Sequence, residues 1–409
     1  MMMEVHNRME VTFEMIKAAQ QRLANRINRT YLVPSQTFSN ISGSDVYIKP
    51  EHLQKTGSFK IRGAYNKIAN LTEQQKNCGV IAASAGNHAQ GVALAASEVG
   101  VCSTVVMPET TPLAKITATK SYGAKVVLCG SSYDDAFEKA KKIQQEKGLT
   151  FVHAFNDPYI IAGQGTVGLE ILHDIPDIDA IIVPIGGGGI IAGIAIAAKT
   201  LNPKIKVIGV EVESFDSMRR SVEAGKIIIT DTANTIADGI AVKTPGDITF
   251  EIVNKYVDDI KVVNEDEIAH AILMYLERAK YVVEGAGAAS LAALIHNKIN
   301  LKVKKVAVVA TGGNIDTNLI AMIIDKGLVK GGRKVEIKTI LQDRPGQLKE
   351  ILSILEQLKV NIVSVVHNRE KEGLALGDAE VDMVLETRDR EHAQKVQEVL
   401  KGKGYRIVV

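Results

Sequence analysis

An α/β fold with open, mostly parallel sheets covered by helices is the architecture this sequence predicts. Three observations predict it. Apolar strand-length runs alternate with helical patterns as far as about residue 325. Several of those runs are apolar throughout, as strands are when helices cover both faces of a parallel sheet. Beyond residue 334 the order becomes strand–helix–strand–strand–helix–strand, with largely alternating apolar residues in two of the strands.

Taken in order, Glu10 to Ile27 carries a helical pattern ahead of the first clear strand, Val46 to Lys49. Val80 to Ala83, Ser103 to Met107, Lys125 to Leu128, Ala180 to Ile185, Lys206 to Val210 and Val306 to Ala310 are the other clear strands. Gly91 to Glu98, Tyr133 to Lys147 and Glu265 to Ala279 read as helices between them. Gly327 to Lys334 is rich in Gly and Lys and reads as a linker. After it, Val335 to Leu341 is a strand, Gly346 to Leu358 a helix, and Asn361 to Asn368 and Ala379 to Thr387 strands. Glu391 to Lys401 is a helix and Tyr405 to Val409 a last strand.

A chain of 409 residues has room for two or three domains. Hydrophobic residues at 46% and charged residues at 23% are ordinary for a soluble globular protein. A net charge of +2 gives no argument for a nucleic-acid or membrane partner. Glu4, His6, Arg8 and Glu10 precede any long apolar run, so the start does not read as a signal peptide, and a cytoplasmic address is expected. Ile181 to Ala198 is the longest apolar stretch, but Pro184 and four glycines break it into strand, turn and buried helix. Cys78, Cys102 and Cys129 are scattered, lack metal-site spacing, suit a reducing compartment and read as small buried hydrophobes.

One lysine stands out from the 49 Lys and Arg residues. In Lys55-Thr56-Gly57-Ser58-Phe59-Lys60-Ile61-Arg62-Gly63-Ala64, small polar residues lead to an aromatic, then to Lys60 at the start of a helix. A lysine amine can form a Schiff base with a carbonyl and so act as a covalent catalyst. Two glycine-rich turns follow. Ser84-Ala85-Gly86-Asn87-His88-Ala89-Gln90-Gly91 lies between a buried strand and an Ala-rich helix, where free backbone N–H groups face an anion. Gly186-Gly187-Gly188-Gly189 lies between another strand and another helix. Such a tract suits a phosphate, a dinucleotide or a tight turn without a ligand.

Together these motifs resemble the fold-type II pyridoxal phosphate enzymes, in their threonine dehydratase and serine racemase branch. Lys60 in Thr-Gly-Ser-Phe-Lys-Ile-Arg-Gly-Ala matches the Schiff-base lysine. Ser84 to Gly91, Gly163 to Leu172, Gly186 to Gly189 and Ala310-Thr311-Gly312-Gly313-Asn314 match in type and order. Sulfhydrylases and threonine synthases of that fold typically carry Asp-Arg after the lysine, where this chain has Ile61-Arg62-Gly63. The resemblance spans about residues 20 to 325. It implies two lobes with the cofactor between them, the smaller built from about residues 55 to 155, in a catalytic domain of residues 1–326.

The resemblance also implies roles. Lys60 carries pyridoxal 5'-phosphate as a Schiff base and, once released by the substrate, removes the Cα proton. Phe59 packs beside the ring, Asn87 bonds the 3-hydroxyl, and the Gly186, Gly187, Gly188 and Gly189 backbone holds the phosphate. Thr311 meets the pyridine nitrogen. Ser84, Ala85, Gly86, Asn87 and His88 form the loop that receives the substrate carboxylate. Each also has a plain structural role open to it: Phe59 as core, Ser84 and Asn87 as turn-stabilising residues, His88 as a structural histidine, Thr311 as a helix cap.

The implied reaction is β-elimination of L-threonine to 2-oxobutanoate and ammonia, with L-serine to pyruvate alongside. A neutral hydroxyl at Thr311 leaves the ring a weaker electron sink than a carboxylate would, which suits elimination. Racemases that resemble this chain carry Ser-Ser-Gly-Asn-His, where this sequence has Ser84-Ala85-Gly86-Asn87-His88. That favours the dehydratase over serine racemase. One methyl fewer on the substrate changes pocket binding by only ~1–3 kcal/mol, so serine remains a substrate. Racemase relatives bind a divalent ion through acidic residues near the position of Glu211. Glu213 and Asp216 are nearby, but the third position is Ser217, and a solvated acidic loop with no metal is the expectation.

The C-terminal unit, residues 335–409, resembles the ACT regulatory domain. Asp343-Arg344-Pro345-Gly346-Gln347-Leu348 lies at its first strand–helix turn. In that family the turn meets a small amino acid at a subunit interface, so Asp343, Gly346 and Leu348 are candidate regulatory residues. Isoleucine or valine is the expected effector of a biosynthetic enzyme; a unit that only supports a homodimer or homotetramer is the alternative. Two rival classes are a nicotinamide oxidoreductase, for which Glu211 is the acidic residue past the glycine turn, and a non-catalytic amino-acid sensor.

Overall fold

In a computed structural model, residues 9–231, 233–300 and 304–408 are described. The charged residues Glu4, His6 and Arg8, and Val409 at the end of the last expected strand, lie outside them. The chain divides into two units, 1–315 and 316–409.

The first unit holds two sheets. The larger has six strands in the order Val33–Pro34, Asp45–Lys49, Lys305–Val309, Ala180–Pro184, Lys206–Val212 and Asp259–Val263. All its pairs are parallel except the first. The smaller has four strands, all parallel, in the order Lys125–Leu128, Ser103–Met107, Val80–Ala83 and Thr150–Phe151. The continuous apolar runs fall on inner strands: every residue of Ala180–Pro184 and Val80–Ala83 is buried. Ile181, Val183, Ala307 and Val309 pack with Ile190, Ile191, Ile194 and Val167 from two covering helices. Each of the Ile and Val side chains contributes roughly 1.5–3 kcal/mol when fully buried.

Helices begin where the sequence supplies caps. Asp157 accepts from the N–H groups of Tyr159 and Ile160 and starts the helix Pro158–Asp174, with proline at its first position. Capping boxes at Thr72/Gln75, Ser132/Asp135 and Asn264/Glu267 start three more. The expected helix Glu265 to Ala279 is α-helical only to Met274; Tyr275–Ala279 forms a π-turn and Lys280 adopts φ 62°. Tyr275 is buried there, edge-on to Phe38 at 5.6 Å. The strands Val33–Pro34 and Thr150–Phe151 are two residues each, too short to leave a periodic signal. Cys78 and Cys102 are exposed, against expectation: Cys78 ends the helix Glu73–Cys78, which buries none of its residues, and Cys102 lies just ahead of strand Ser103–Met107.

The second unit starts with the helix Thr317–Lys330. The stretch read as a linker is therefore the last turn of that helix, a turn at Gly331 to Arg333, and the first residue of the strand Lys334–Gln342. The helix Gln347–Gln357, strands Asn361–Asn368 and Asp378–Glu386, helix Arg390–Gly402 and strand Ile407–Val408 complete a βαββαβ unit. Its antiparallel sheet runs Asn361–Asn368, Asp378–Glu386, Lys334–Gln342, Ile407–Val408. Strict alternation in Lys334–Gln342 turns Val335, Ile337, Thr339 and Leu341 inward.

Candidate active site

The glycine turns and the Lys60 segment meet at one cavity of about 1050 Å³ in the first unit. Phe59, Lys60, Ser84, Ala85, Gly86, Asn87, His88, Gly186, Gly187, Gly188, Gly189 and Thr311 all line it. Loops at the carboxyl ends of parallel strands converge there, the usual place for ligands in open α/β sheets.

Lys60 is the first residue of the helix Lys60–Ala69. Its Nζ donates to the Ala154 carbonyl at 3.1 Å and lies 5.1 Å from the centre of the Phe59 ring. Phe59 N donates to Thr311 O at 3.1 Å, tying the lysine segment to the end of strand Lys305–Val309. Burial pulls the amine down to about 8, with the nearby Glu284 carboxylate opposing the fall. An amine in that range is a usable base and nucleophile near neutrality.

The Gly186 to Gly189 tract turns into the helix Gly189–Leu201. Among the described residues, none of its four N–H groups has a protein acceptor. A Cβ on Gly187 would stand 2.3 Å from the Phe155 ring, so only glycine lets the backbone curl there. Thr249 Oγ1 pins the Gly187 carbonyl at 2.6 Å and turns the N–H side away. This is an anion cradle at a helix N-terminus. With a low-pKa lysine on the same cavity, it fits a phosphate-bearing aldehyde.

Asn87 begins the helix Asn87–Val99. Its Nδ2 donates to Glu284 Oε1 at 2.7 Å, and its Oδ1 accepts from Asn314 Nδ2 at 2.7 Å. Asn314 also donates to Thr56 O at 2.8 Å, which fixes the orientation of both amides. Ser84 Oγ accepts from Gly86 N at 3.2 Å and steadies the loop. His88 is buried with Nε2 on the Val152 carbonyl at 2.8 Å. Burial and then Lys60 hold its ring down at about 3, so it stays neutral.

Sequence reasoning missed four residues at this cavity. Glu284 is only 5% exposed, and burial, followed by Asp238, pushes its carboxyl up to about 7. A lone acid between Val282-Val283 and Gly285-Ala286-Gly287 was the available signal. Phe155 walls the glycine tract, and His153 accepts from Phe155 N and Asn156 N through Nδ1. Asn314 lay within a matched motif but carried no assigned role.

Glu211 accepts from Met218 N and Arg219 N at 2.9 and 2.8 Å, and Asp216 pairs with Arg219 and Arg220. Among the described residues no group of three or more His, Cys, Asp or Glu could hold a metal ion. In the second unit, Gly346 caps the helix Gln347–Gln357 at φ 99°. Asp343 pairs with Arg369 at 3.0 Å, and Leu348 packs on the unit's own core. Among the described residues no helix is long and apolar enough to cross a membrane.

With the lysine, the cradle and the fold in view, the chain belongs to the pyridoxal-phosphate dependent enzyme family, whose model matches residues 23–312. Residues 335–403 match the ACT domain. The chain is 54% identical to an L-threonine ammonia-lyase of Thermotoga maritima over 97% of its own length and 99% of that relative. It is 47% identical to an L-threonine ammonia-lyase of Geobacter sulfurreducens, again over 97% and 99% of the two chains. Among solved structures, maize serine racemase superposes with a TM-score of 0.74 at 38% identity, over 79% of this chain and 99% of that one.

Proposed function

We propose that this chain is a lyase that converts L-threonine to 2-oxobutanoate and ammonia, and L-serine to pyruvate. The single observation that carries this reading is the low-pKa Lys60 amine on the same cavity as the unpaired N–H groups of Gly186 to Gly189. Likeness to two L-threonine ammonia-lyases over nearly the whole chain supports the choice of substrate.

Pyridoxal phosphate, when bound, supplies an electron sink for the pair left as the Cα proton departs. Lys60 is the residue that would hold it covalently. Gly186 to Gly189 would bind its phosphate through N–H groups and the helix dipole. Phe59 would flank the ring, Asn87 would offer an amide N–H to its 3-oxygen, and Thr311 would meet the ring nitrogen. The Ser84 to His88 turn, at a helix N-terminus, would receive the substrate carboxylate. Neutral His88 holds that turn against Val152 without adding charge. Lys60, in its free-amine form, takes the proton from Cα. Threonine thereby loses the Cα proton and the β-hydroxyl as water. The enamine left takes up water, and ammonia leaves with 2-oxobutanoate.

On this reading residues 1–326 are the catalytic domain and 327–334 a connector. Residues 335–409 are the regulatory domain, with Asp343, Gly346 and Leu348 at a site for isoleucine or valine. A cytoplasmic homodimer or homotetramer accords with it. Borohydride trapping and peptide mapping, with assays on L-threonine, L-serine and D-serine, test the proposal. Label on Lys60 with ammonia release from L-threonine is the expected result. Label elsewhere, or racemisation of serine in place of ammonia release, rejects it.

A further inference from the structure

Two residues past Lys60 the same helix buries a guanidinium that no step above uses. Arg62 is 0% exposed. Its Nε and Nη2 donate to Glu51 Oε2 and Oε1 at 2.8 and 2.7 Å. Its Nη1 and Nη2 donate to Glu170 Oε1 and Oε2 at 2.7 and 2.9 Å. Nη1 also reaches Thr166 Oγ1 at 3.1 Å. Lys49 Nζ completes the group on Glu170 and on the Thr30 carbonyl. Two cations and two carboxylates balance to zero. Burial presses Arg62 downward, but Glu51 and Glu170 outweigh it and lift its pKa above the ordinary value. Burial lifts Glu51, and Arg62, Lys49 and Thr30 together more than reverse that.

The partners come from four elements. Glu51 opens the 3-10 turn Glu51–Leu53 just past strand Asp45–Lys49 of the larger sheet, Glu170 and Thr166 lie on the helix Pro158–Asp174, and Arg62 is on the lysine's helix. The two helices touch backbone to backbone: a Cβ on Gly163 would stand 2.6 Å from the Arg62 carbonyl. Gly63 N donates to Gln164 Oε1 at 3.2 Å.

Such a quartet is a poor device for stability alone, since apolar residues of similar volume commonly do as well. What a doubly bidentate guanidinium supplies is direction. Residues two apart on a helix point roughly 200° from each other, so Arg62 grips the face opposite Lys60. A turn of ~10° about the helix axis would swing a lysine amine by more than ~1 Å, enough to cost on the order of 100-fold in rate.

We infer that the Arg62 fork, closed by Glu51, Glu170 and Lys49, is a positioning device that sets the rotation of the Lys60 helix and hence the place of the amine in the cavity. The inference rests on Lys60 being the cofactor-bearing amine. Wild-type trapping at Lys60 checks that reading separately, because label elsewhere fails it before any variant is made.

The test uses full-length protein. Arg62→Met with Glu170→Gln leaves Lys49 and Glu51 as a balanced pair, so buried charge stays neutral while the fork is gone. Melting, kcat and KM for L-threonine, and the rate of borohydride-trapped cofactor labelling at Lys60 are measured. The double variant is expected to melt cooperatively, to label Lys60 at least ~10-fold more slowly, and to lose kcat by a similar factor with KM nearly unchanged. Arg62→Lys, which keeps the charge without the fork, is expected to fall between, and it decides the matter if the double variant does not fold. Lys199→Met breaks the Lys199–Asp258 pair of 2.6 Å at the far end of the helix Gly189–Leu201, and serves as a stability control. It is expected to melt lower with labelling unchanged. Wild-type labelling and kcat in the folded Arg62 variants, or a labelling loss in the control that matches theirs, overturns the inference.

Discussion

Asn87 and Glu284, 197 residues apart in sequence, meet at 2.7 Å with the amide of one donating to the carboxylate of the other. The contact places a carboxyl of raised pKa beside a residue assigned to the cofactor. It also sets the field felt by Lys60, whose amine Glu284 holds higher than burial alone would.

Cofactor uptake by the apoprotein is therefore expected to rise with pH through about 8, as the Lys60 amine loses its proton. Glu284→Gln removes the charge that favours the protonated amine, so the midpoint should move to lower pH. Absorbance of cofactor added to apoprotein across pH 6 to 10 reads both midpoints. An unmoved midpoint in the variant would refute the coupling.

Stability should respond to the same residue. The unfolded carboxyl ionises near 4.5 and the folded one at about 7, so the contribution of this group to wild-type stability falls as pH rises between those values. Glu284→Gln should lack that fall. Urea midpoints at pH 4.5 and 7.5 compare the two proteins.

Gly187→Ala should loosen the cradle, because its Cβ would overlap the Phe155 ring at 2.3 Å. A cofactor affinity loss of roughly 10-fold or more, about 1.4 kcal/mol, is expected by fluorescence titration. Equal affinity in the two proteins would mean that the tract does not hold the phosphate.

Two buried histidines and a half-buried one should make the fold acid-sensitive. Burial brings His52, His88 and His153 down to about 4, 3 and 4. Unfolded histidines take up protons from about 6.5 downward while these do not, so their contribution to stability is lost as pH falls from 6.5 toward 4. His88→Asn should flatten that slope in urea titrations. A slope equal to wild type would count against a neutral His88.

In the second unit, Gly346→Val should strain the φ of 99° at the head of the helix Gln347–Gln357, at a cost of about 1 kcal/mol. Isoleucine should then lose its effect on threonine kinetics while basal kinetics stay near wild type. A full isoleucine response in the variant would remove Gly346 from the effector site.

Much of this was legible in the residues. Lys60, the Ser84 to Gly91 turn and the Gly186 to Gly189 tract are local motifs, and each sits at a strand–helix junction where such chemistry is placed. Inner strands declared themselves because burial on both faces demands unbroken apolar runs. Glu284 and Phe155 did not, since their meaning depends on partners far away in sequence. The Arg62 quartet was equally silent: four ordinary charged residues from four elements become one object only when folded. The π-turn at Tyr275–Ala279 was hidden because its composition is that of an ordinary helix.

The order of strands in the larger sheet carries a consequence for synthesis. Lys305–Val309 lies between Asp45–Lys49 and Ala180–Pro184, so that sheet stays split until the ribosome has released residue 309. The smaller sheet draws all its strands from residues 80 to 151 and can close much earlier. A nascent chain halted near residue 200 should thus protect amides of Val80–Ala83 while Asp45–Lys49 still lacks its parallel neighbour, exposed to chaperones.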